Sequence, residues 1–216
     1  MYKSIFRKSV DNVFLDFDGT LVHKEFDRYF WSEYVPLQYS IKNNFSIEDS
    51  KEKLYCLYNS YKGQLCWSDI DFWSSKLNLD IEKLTMSISD LIKPSKGLYQ
   101  FFSFAKKHNK KIYILTNAHK KTINIKLTKI HIEKQIDRIV TCFDLGYPKE
   151  NIEFWKKLRL RIEFDPEKSV FIDDLEENLI QAKKIGIKNV WLKVEKEEMN
   201  DISSSFFYFD SFENLL

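Results

Sequence analysis

Short apolar runs carry polar side chains at their ends: "VFLDFDGT" at residues 13–20, "ILTN" at 114–117, "VFIDD" at 170–174, and the loop "GYPKE" at 146–150. They bring forward Asp16, Asp18, Thr116, Asn117, Lys149, Asp173 and Asp174. A carboxylate at the end of a buried run is costly to desolvate unless a partner compensates it. Several carboxylates meeting in one place repel each other unless a cation sits among them. The acidic positions offer oxygen ligands, without His or Cys, which points to a hard ion, Mg²⁺. Mg²⁺ in turn suggests a phosphate partner. Lys149 and the Thr116 hydroxyl suit phosphate oxygens, and backbone N–H groups in the turn at Asp18–Gly19 can cradle them. A carboxylate beside the ion can attack phosphorus and form an aspartyl-phosphate, dividing hydrolysis into two easier steps. A second acid can protonate the leaving oxygen and then activate water.

That chemistry requires elements that bring distant residues together. Apolar runs at 13–17, 111–117, 138–141, 169–174 and 189–193, with a weaker one at 206–209, read as buried parallel strands. Amphipathic stretches at 97–110, 151–162 and 177–186 read as helices, the last closed by Gly186. Such alternation predicts an α/β fold, a doubly wound (Rossmann-like) parallel sheet with helices on both faces. Ligands of these sheets bind outside the carboxyl ends of the strands, where the acids fall. Residues 22–93 break the pattern. Their periodicity is helical, rich in aromatics and without a strand candidate, so they read as an inserted all-helical cap on a core of residues 1–21 and 94–216. Ser46 with Asp49, and Ser68 with Asp71, signal two helix starts as partial capping boxes.

The chain has 216 residues, with 34 Lys and Arg against 32 Asp and Glu, a balance that gives no whole-surface attraction to a nucleic acid polymer. Its three cysteines, Cys56, Cys66 and Cys142, lack metal-ligand spacing, and an odd number argues against a disulfide framework. The start, "MYKSIFRKSVDN", has no apolar core of a signal peptide, and no window resembles a membrane span. The expected setting is the cytoplasm, with no membrane partner.

Taken singly, each feature has an ordinary explanation. "DFDG" can be a strand end and turn, "DD" a helix cap, and Lys149 a solvated charge. Their joint occurrence, in this order, is what carries weight. "DFDGT" (Asp16–Thr20), "LTN" (Leu115–Asn117), "YPK" (Tyr147–Lys149) and "FIDD" (Phe171–Asp174) resemble the four signature motifs of the haloacid dehalogenase-like hydrolase superfamily, over essentially the whole chain. The resemblance implies Asp16 as nucleophile and metal ligand, and Asp18 as general acid and base whose backbone carbonyl also binds the metal. Asp173 completes the metal site. Gly19, Thr116, Asn117 and Lys149 hold the phosphoryl group, with Thr20 and Asp174 in support. True dehalogenases of this superfamily lack the acid that Asp18 supplies, so phosphoryl chemistry is favoured.

"FDRYFW" (26–31), "WSDIDFWSSKLNLDI" (67–81), "LTNAH" (115–119) and "GYPKE" (146–150) are similar to the bacterial GMP/IMP nucleotidase branch. The resemblance thus implies a Mg²⁺-dependent phosphomonoesterase, a 5′-nucleotidase acting on purine monophosphates. In the cap, Phe26 and Trp67 can stack on a base, and Asp27 and Asp71 can bond a base edge or sugar hydroxyl. Each of these has a plainer role as cap core or solvated charge. A sugar-phosphate phosphatase or phosphomutase on the same core is the alternative, and a binding module that has lost the chemistry is a third reading.

Overall fold

The apolar runs form six parallel strands: β1 (Asn12–Leu15), β2 (Lys111–Thr116), β3 (Arg138–Thr141), β4 (Ser169–Asp173), β5 (Asn189–Lys193) and β6 (Phe207–Phe209). They lie in the order β3-β2-β1-β4-β5-β6, that of a doubly wound α/β sheet. This computed structural model describes residues 10–200 and 203–216, so most of the start expected not to be a signal peptide, residues 1–9, lies outside the described residues.

The strands are apolar throughout because both faces of the sheet are covered. In register, Phe14 pairs with Tyr113 on one side and Phe171 on the other. Side chains alternate along a strand. Phe14, Tyr113, Leu115 and Phe171 therefore share one face, where they pack with Phe154, Trp155, Leu158 and Leu179. These come from the helices Ile152–Arg161 and Glu176–Lys184. The intervening positions Val13, Leu15, Ile112, Ile114 and Ile172, all buried, line the opposite face. The helix Leu98–Lys107, with buried Phe101 and Phe102, precedes β2. Phe101 packs on Phe212 of the last turn at 4.8 Å between ring centroids.

The chain divides into two compact units, and the division departs from the expected one at residues 22–93. The helical unit comprises Lys24–Lys93 together with Ala118–Ile130, and the sheet belongs to the other unit. The helix Lys120–Ile130 follows β2 in the chain yet joins the helical unit. Ion pairs explain why. Lys126, fully buried, donates to both oxygens of Asp27 at 2.7 and 2.6 Å. Lys121 pairs with Asp71 at 2.7 Å, and Lys129 with Asp90 at 2.6 Å.

Aromatic rings fill the core of this unit. Trp73 is surrounded by Tyr58, Tyr61 and Phe72 at 5.0, 5.7 and 5.0 Å between centroids. Ser46 caps the helix Ile47–Tyr61 by accepting from the Asp49 N–H. Ser68 does not cap the next long helix. Asp69 stands at that position and accepts from the N–H groups of Asp71 and Phe72, and a carboxylate one residue closer to the helix serves the cap equally well. Among the described residues no helix is long and apolar enough to cross a membrane.

Gly97 opens the helix Leu98–Lys107 in a left-handed conformation, φ +77°. A Cβ there would lie 2.6 Å from the backbone nitrogen of Glu213. The last turn also docks at this place, through the Phe212 N–H to the Lys96 carbonyl at 2.9 Å. Gly97→Ala is therefore expected to lower stability by roughly 2–4 kcal/mol, from the left-handed backbone and the clash together. Urea unfolding measures it, and an unchanged midpoint contradicts this account.

Candidate active site

In the strand order the chain runs outward from β1 through β2 and β3, then restarts beside β1 with β4. That is the switch point at which doubly wound sheets bind ligands. Asp16 leaves β1 there, and its N–H donates to the Ile172 carbonyl at 2.9 Å, extending the β1–β4 pairing by one residue. Asp173, the last residue of β4, is thereby set beside Asp16. Carboxylate oxygens of Asp16, Asp173 and Asp174 all lie within 4.8 Å of one another. Asp16 is 5% exposed and Asp173 0%.

Lys149 answers this concentration of charge. Its ammonium donates to Asp16 Oδ1 and, at 2.6 Å, to Asp173 Oδ2, and it is 2% exposed. Burial acts to discharge the ammonium, but the charges of Asp16 and Asp173 and its bonds to them outweigh that and raise its pKa. Asp16 is pushed well above the ordinary carboxylate range. Burial is the largest cause, with Asp173, Asp174 and Asp18 adding to it and Lys149 opposing it. Three carboxyl groups thus stand with one ammonium, a concentration of acidic groups that a divalent cation would compensate. Asp16 Oδ2 is buried and has no hydrogen-bond partner among the described residues. The all-oxygen chemistry of this carboxylate set fits a hard cation.

Lys149 is fixed through its backbone. Its N–H donates to Asn117 Oδ1 at 2.9 Å, and its carbonyl accepts from the buried indole of Trp155 at 2.8 Å. The Asn117 amide also donates to both oxygens of Glu150, at 3.1 and 2.8 Å. Its side chain is engaged in holding the Lys149 loop, which leaves the backbone N–H as the group by which Asn117 can meet a phosphate. Cys142 donates to the Asn117 carbonyl at 3.1 Å. Burial, and then Glu150, push its thiol up to about 12, so it is not a nucleophile at neutral pH.

The turn after β1 is built to a single shape. The N–H groups of Leu21 and Val22 donate to the Phe17 carbonyl at 2.9 and 3.2 Å, and the Gly19 N–H donates to Val22 at 2.9 Å. Gly19 has φ +83°, and a Cβ there would collide with the Asp174 carboxylate. Only glycine permits both the conformation and that approach. Thr20 is fully buried, and its carbonyl accepts from the Ser95 hydroxyl at 2.7 Å. Thr116 is buried at the carboxyl end of β2, the neighbour of β1.

The structure therefore gathers Asp16, Lys149, Asp173 and Asp174 directly. Asp18 stands half-buried in the turn, and its carboxylate does not join the cluster although its charge bears on Asp16. Asp174, expected only in support, is a full member of the carboxylate group. Of the residues expected to meet substrate in the helical unit, Phe26 is buried against Phe30 at 6.0 Å. Asp27 is bound to Lys126 and Asp71 to Lys121. Trp67 is 45% exposed, and its carbonyl accepts from the Trp73 indole. Glu150, Trp155 and Asn178 were not read from the sequence. Glu150 adjoins a motif, whereas a Trp inside an apolar helix face gives no sign that its N–H has a specific task.

Every residue of the cluster falls within residues 13–192, the span that matches the family of haloacid dehalogenase-like hydrolases. The chain is 31% identical over 188 residues to the GMP/IMP nucleotidase YrfG of Escherichia coli (strain K12), covering 87% of this chain and 85% of that protein. The GMP/IMP nucleotidase YrfG of Shigella flexneri shows the same identity and coverage. Among solved structures, the HAD phosphatase from Thermococcus onnurineus has a TM-score of 0.79 at 19% identity, covering 95% of this chain and 96% of that one. CbbY from Rhodobacter sphaeroides, in complex with phosphate, has a TM-score of 0.70 at 13% identity, covering 95% and 96%. At those identities the likeness establishes the fold. Matched along most of its length by the family and by a relative of nearly the same span, the chain belongs to the haloacid dehalogenase-like hydrolases.

Proposed function

We propose that the chain is a phosphomonoesterase that works through an aspartyl-phosphate on Asp16, with purine nucleoside 5′-monophosphates as its substrates. Membership of the family supports phosphatase activity. The observation that carries the mechanism is Asp16 itself: a buried carboxylate with one oxygen bound to Lys149 and the other unpartnered among the described residues, inside a cluster of like charge.

In this reading the unspent oxygen of Asp16 attacks phosphorus. The bond from Asp16 to phosphorus forms, the ester bond breaks, and the leaving oxygen takes a proton from the Asp18 carboxyl. Asp18 then removes a proton from water, the resulting hydroxide attacks phosphorus, and inorganic phosphate leaves as the Asp16 carboxylate is restored. Lys149, held by Asn117 and Trp155, keeps a positive charge beside the oxygens where negative charge gathers. Thr116, Gly19 and the backbone at Asn117 hold the phosphoryl oxygens. Mg²⁺ bound by Asp16, Asp173, Asp174 and the Asp18 carbonyl would offset the excess negative charge and favour the ionised form of Asp16.

The purine preference rests on the relatives named GMP/IMP nucleotidase. Trp67, which is 45% exposed, is an aromatic residue of the kind on which a purine stacks. The helical unit is proposed as the cap that selects the leaving group.

Asp16→Asn should fold, since the amide keeps the side chain's shape and an oxygen that can accept from Lys149, and should lose at least about 1,000-fold in kcat because the nucleophile is gone. Steady-state phosphate release, with circular dichroism as the check on folding, measures this; near-normal turnover would place the nucleophile elsewhere. In a panel of phosphate esters, GMP and IMP should exceed hexose phosphates and phosphoglycolate in kcat/KM. Chelation by EDTA should abolish release, and added Mg²⁺ should restore it. A preference for hexose phosphates would select the sugar-phosphatase alternative instead, and metal-independent turnover would refute the assigned site.

A further inference from the structure

Asp69 and His119 meet within the helical unit, with His119 Nε2 3.9 Å from Asp69 Oδ1. Asp69 begins the helix Ile70–Leu77, and the N–H groups of Asp71 and Phe72 both donate to its Oδ1. Its Oδ2 accepts no hydrogen bond among the described residues, and the side chain is 30% exposed. The carboxylate is thus held rigidly by one oxygen, with the other left to meet a ligand. Asp71, two residues on, differs, because Lys121 pairs with its carboxylate at 2.7 Å.

The segment before Asp69 is fixed as well. The Trp67 carbonyl accepts from the Trp73 indole at 2.7 Å, and the Asp69 N–H donates to the Cys66 carbonyl at 3.1 Å. His119 Nδ1 accepts from the Lys121 N–H at 3.4 Å, which assigns the proton of the neutral ring to Nε2. An acceptor, Asp69 Oδ2, and a donor, His119 Nε2–H, therefore stand side by side. Chain continuity relates them to the phosphoryl site. His119 follows Thr116 by three residues, so their α-carbons lie no more than about 11 Å apart. That is within reach of a nucleoside whose phosphate is held at Thr116.

We propose that Asp69 is the residue that selects 6-oxopurines: its Oδ2 accepts the N1–H shared by guanine and hypoxanthine, while His119 donates to O6. The inference rests on the nucleotidase reading above and adds to it the group that recognises the base. Adenine presents the reverse pattern, a bare N1 and an amino group at C6. The carboxylate then faces a lone pair, and the imidazole N–H faces another N–H, so selection combines attraction to one edge with repulsion of the other. Discrimination by a base contact of this kind is roughly 10–100-fold.

Steady-state kcat/KM for GMP, IMP, AMP and 1-methyl-GMP tests this in the wild type and in Asp69→Asn. Asparagine caps a helix as well as aspartate does, so its oxygen stays with the two N–H groups and its NH₂ replaces Oδ2. The wild type should favour GMP and IMP by roughly 10–100-fold over AMP and over 1-methyl-GMP, in which N1 carries no proton. Asp69→Asn, with circular dichroism like that of the wild type, should lower the GMP-to-AMP ratio by roughly 10–100-fold. A folded Asp69→Asn whose ratio stays within about twofold of wild type overturns the role of Asp69 while leaving the nucleotidase reading intact. So does a wild type that turns over 1-methyl-GMP as well as GMP, a result that does not depend on any variant folding. A wild type that prefers hexose phosphates to every nucleotide would refute the substrate reading, and the inference with it.

Discussion

The organisation of this molecule follows from the mutual repulsion of the carboxylates at the junction of β1 and β4. Strand pairing imposes it: the Asp16 N–H bonds to Ile172, one residue before Asp173, so the two acids cannot move apart without opening the sheet. Each side chain is buried, where a charge is poorly solvated. A sheet that needed only stability would carry apolar residues at those ends. The surrounding framework instead keeps the charges in place. Phe14, Phe171 and Trp155 pack beneath them, and Lys149 is inserted between two of the acids. Breaking such a buried set by removing one partner is typically worse than replacing all of it, which ties these residues to one another.

Positioning is accordingly backbone-deep. Lys149 is held at its N–H and at its carbonyl, Asp173 by two donors on one oxygen, and the turn after β1 by a glycine that lets Asp174 approach its α-carbon. None of these constraints depends on a flexible surface side chain. That is the arrangement expected where charges must stabilise a transition state without reorganising when it forms.

Much of the fold was legible because parallel strands covered on both faces are nearly continuous apolar runs, and all six stand where the runs stood. The polar ends of those runs placed Asp16, Thr116 and Asp173 correctly on the sheet, since the carboxyl-end rule needs only strand direction. Other features depend on partners distant in the chain and leave no local pattern. The helix Lys120–Ile130 could not be assigned to the helical unit without knowing that Lys126 meets Asp27, 99 residues earlier. Asn117, expected at the phosphoryl group, has its side-chain amide engaged by Glu150 and by the Lys149 N–H, 33 and 32 residues later in the chain. Aromatic residues at helical spacing read equally well as pocket or core, and packing alone settles that Phe26 is core.

The division of the chain adds a further constraint. The α/β unit is left at His23, regained at Pro94, left again at Asn117 and regained at His131. On its own side, three of these crossings are pinned by bonds within the unit. His23 pairs with Glu195 at 2.9 Å, Val22 forms a bridge with Pro94, Ser95 bonds the Thr20 carbonyl, and Asn117 is clamped to Lys149 and Glu150. The turn holding Asp16 and Asp18 and the strand end holding Thr116 are thus closed off by hydrogen bonds before the chain departs. A helical insertion joined at such points can vary in sequence and packing while the charged centre keeps its geometry. The fixed geometry of the charged centre therefore lies in bonds internal to the sheet unit.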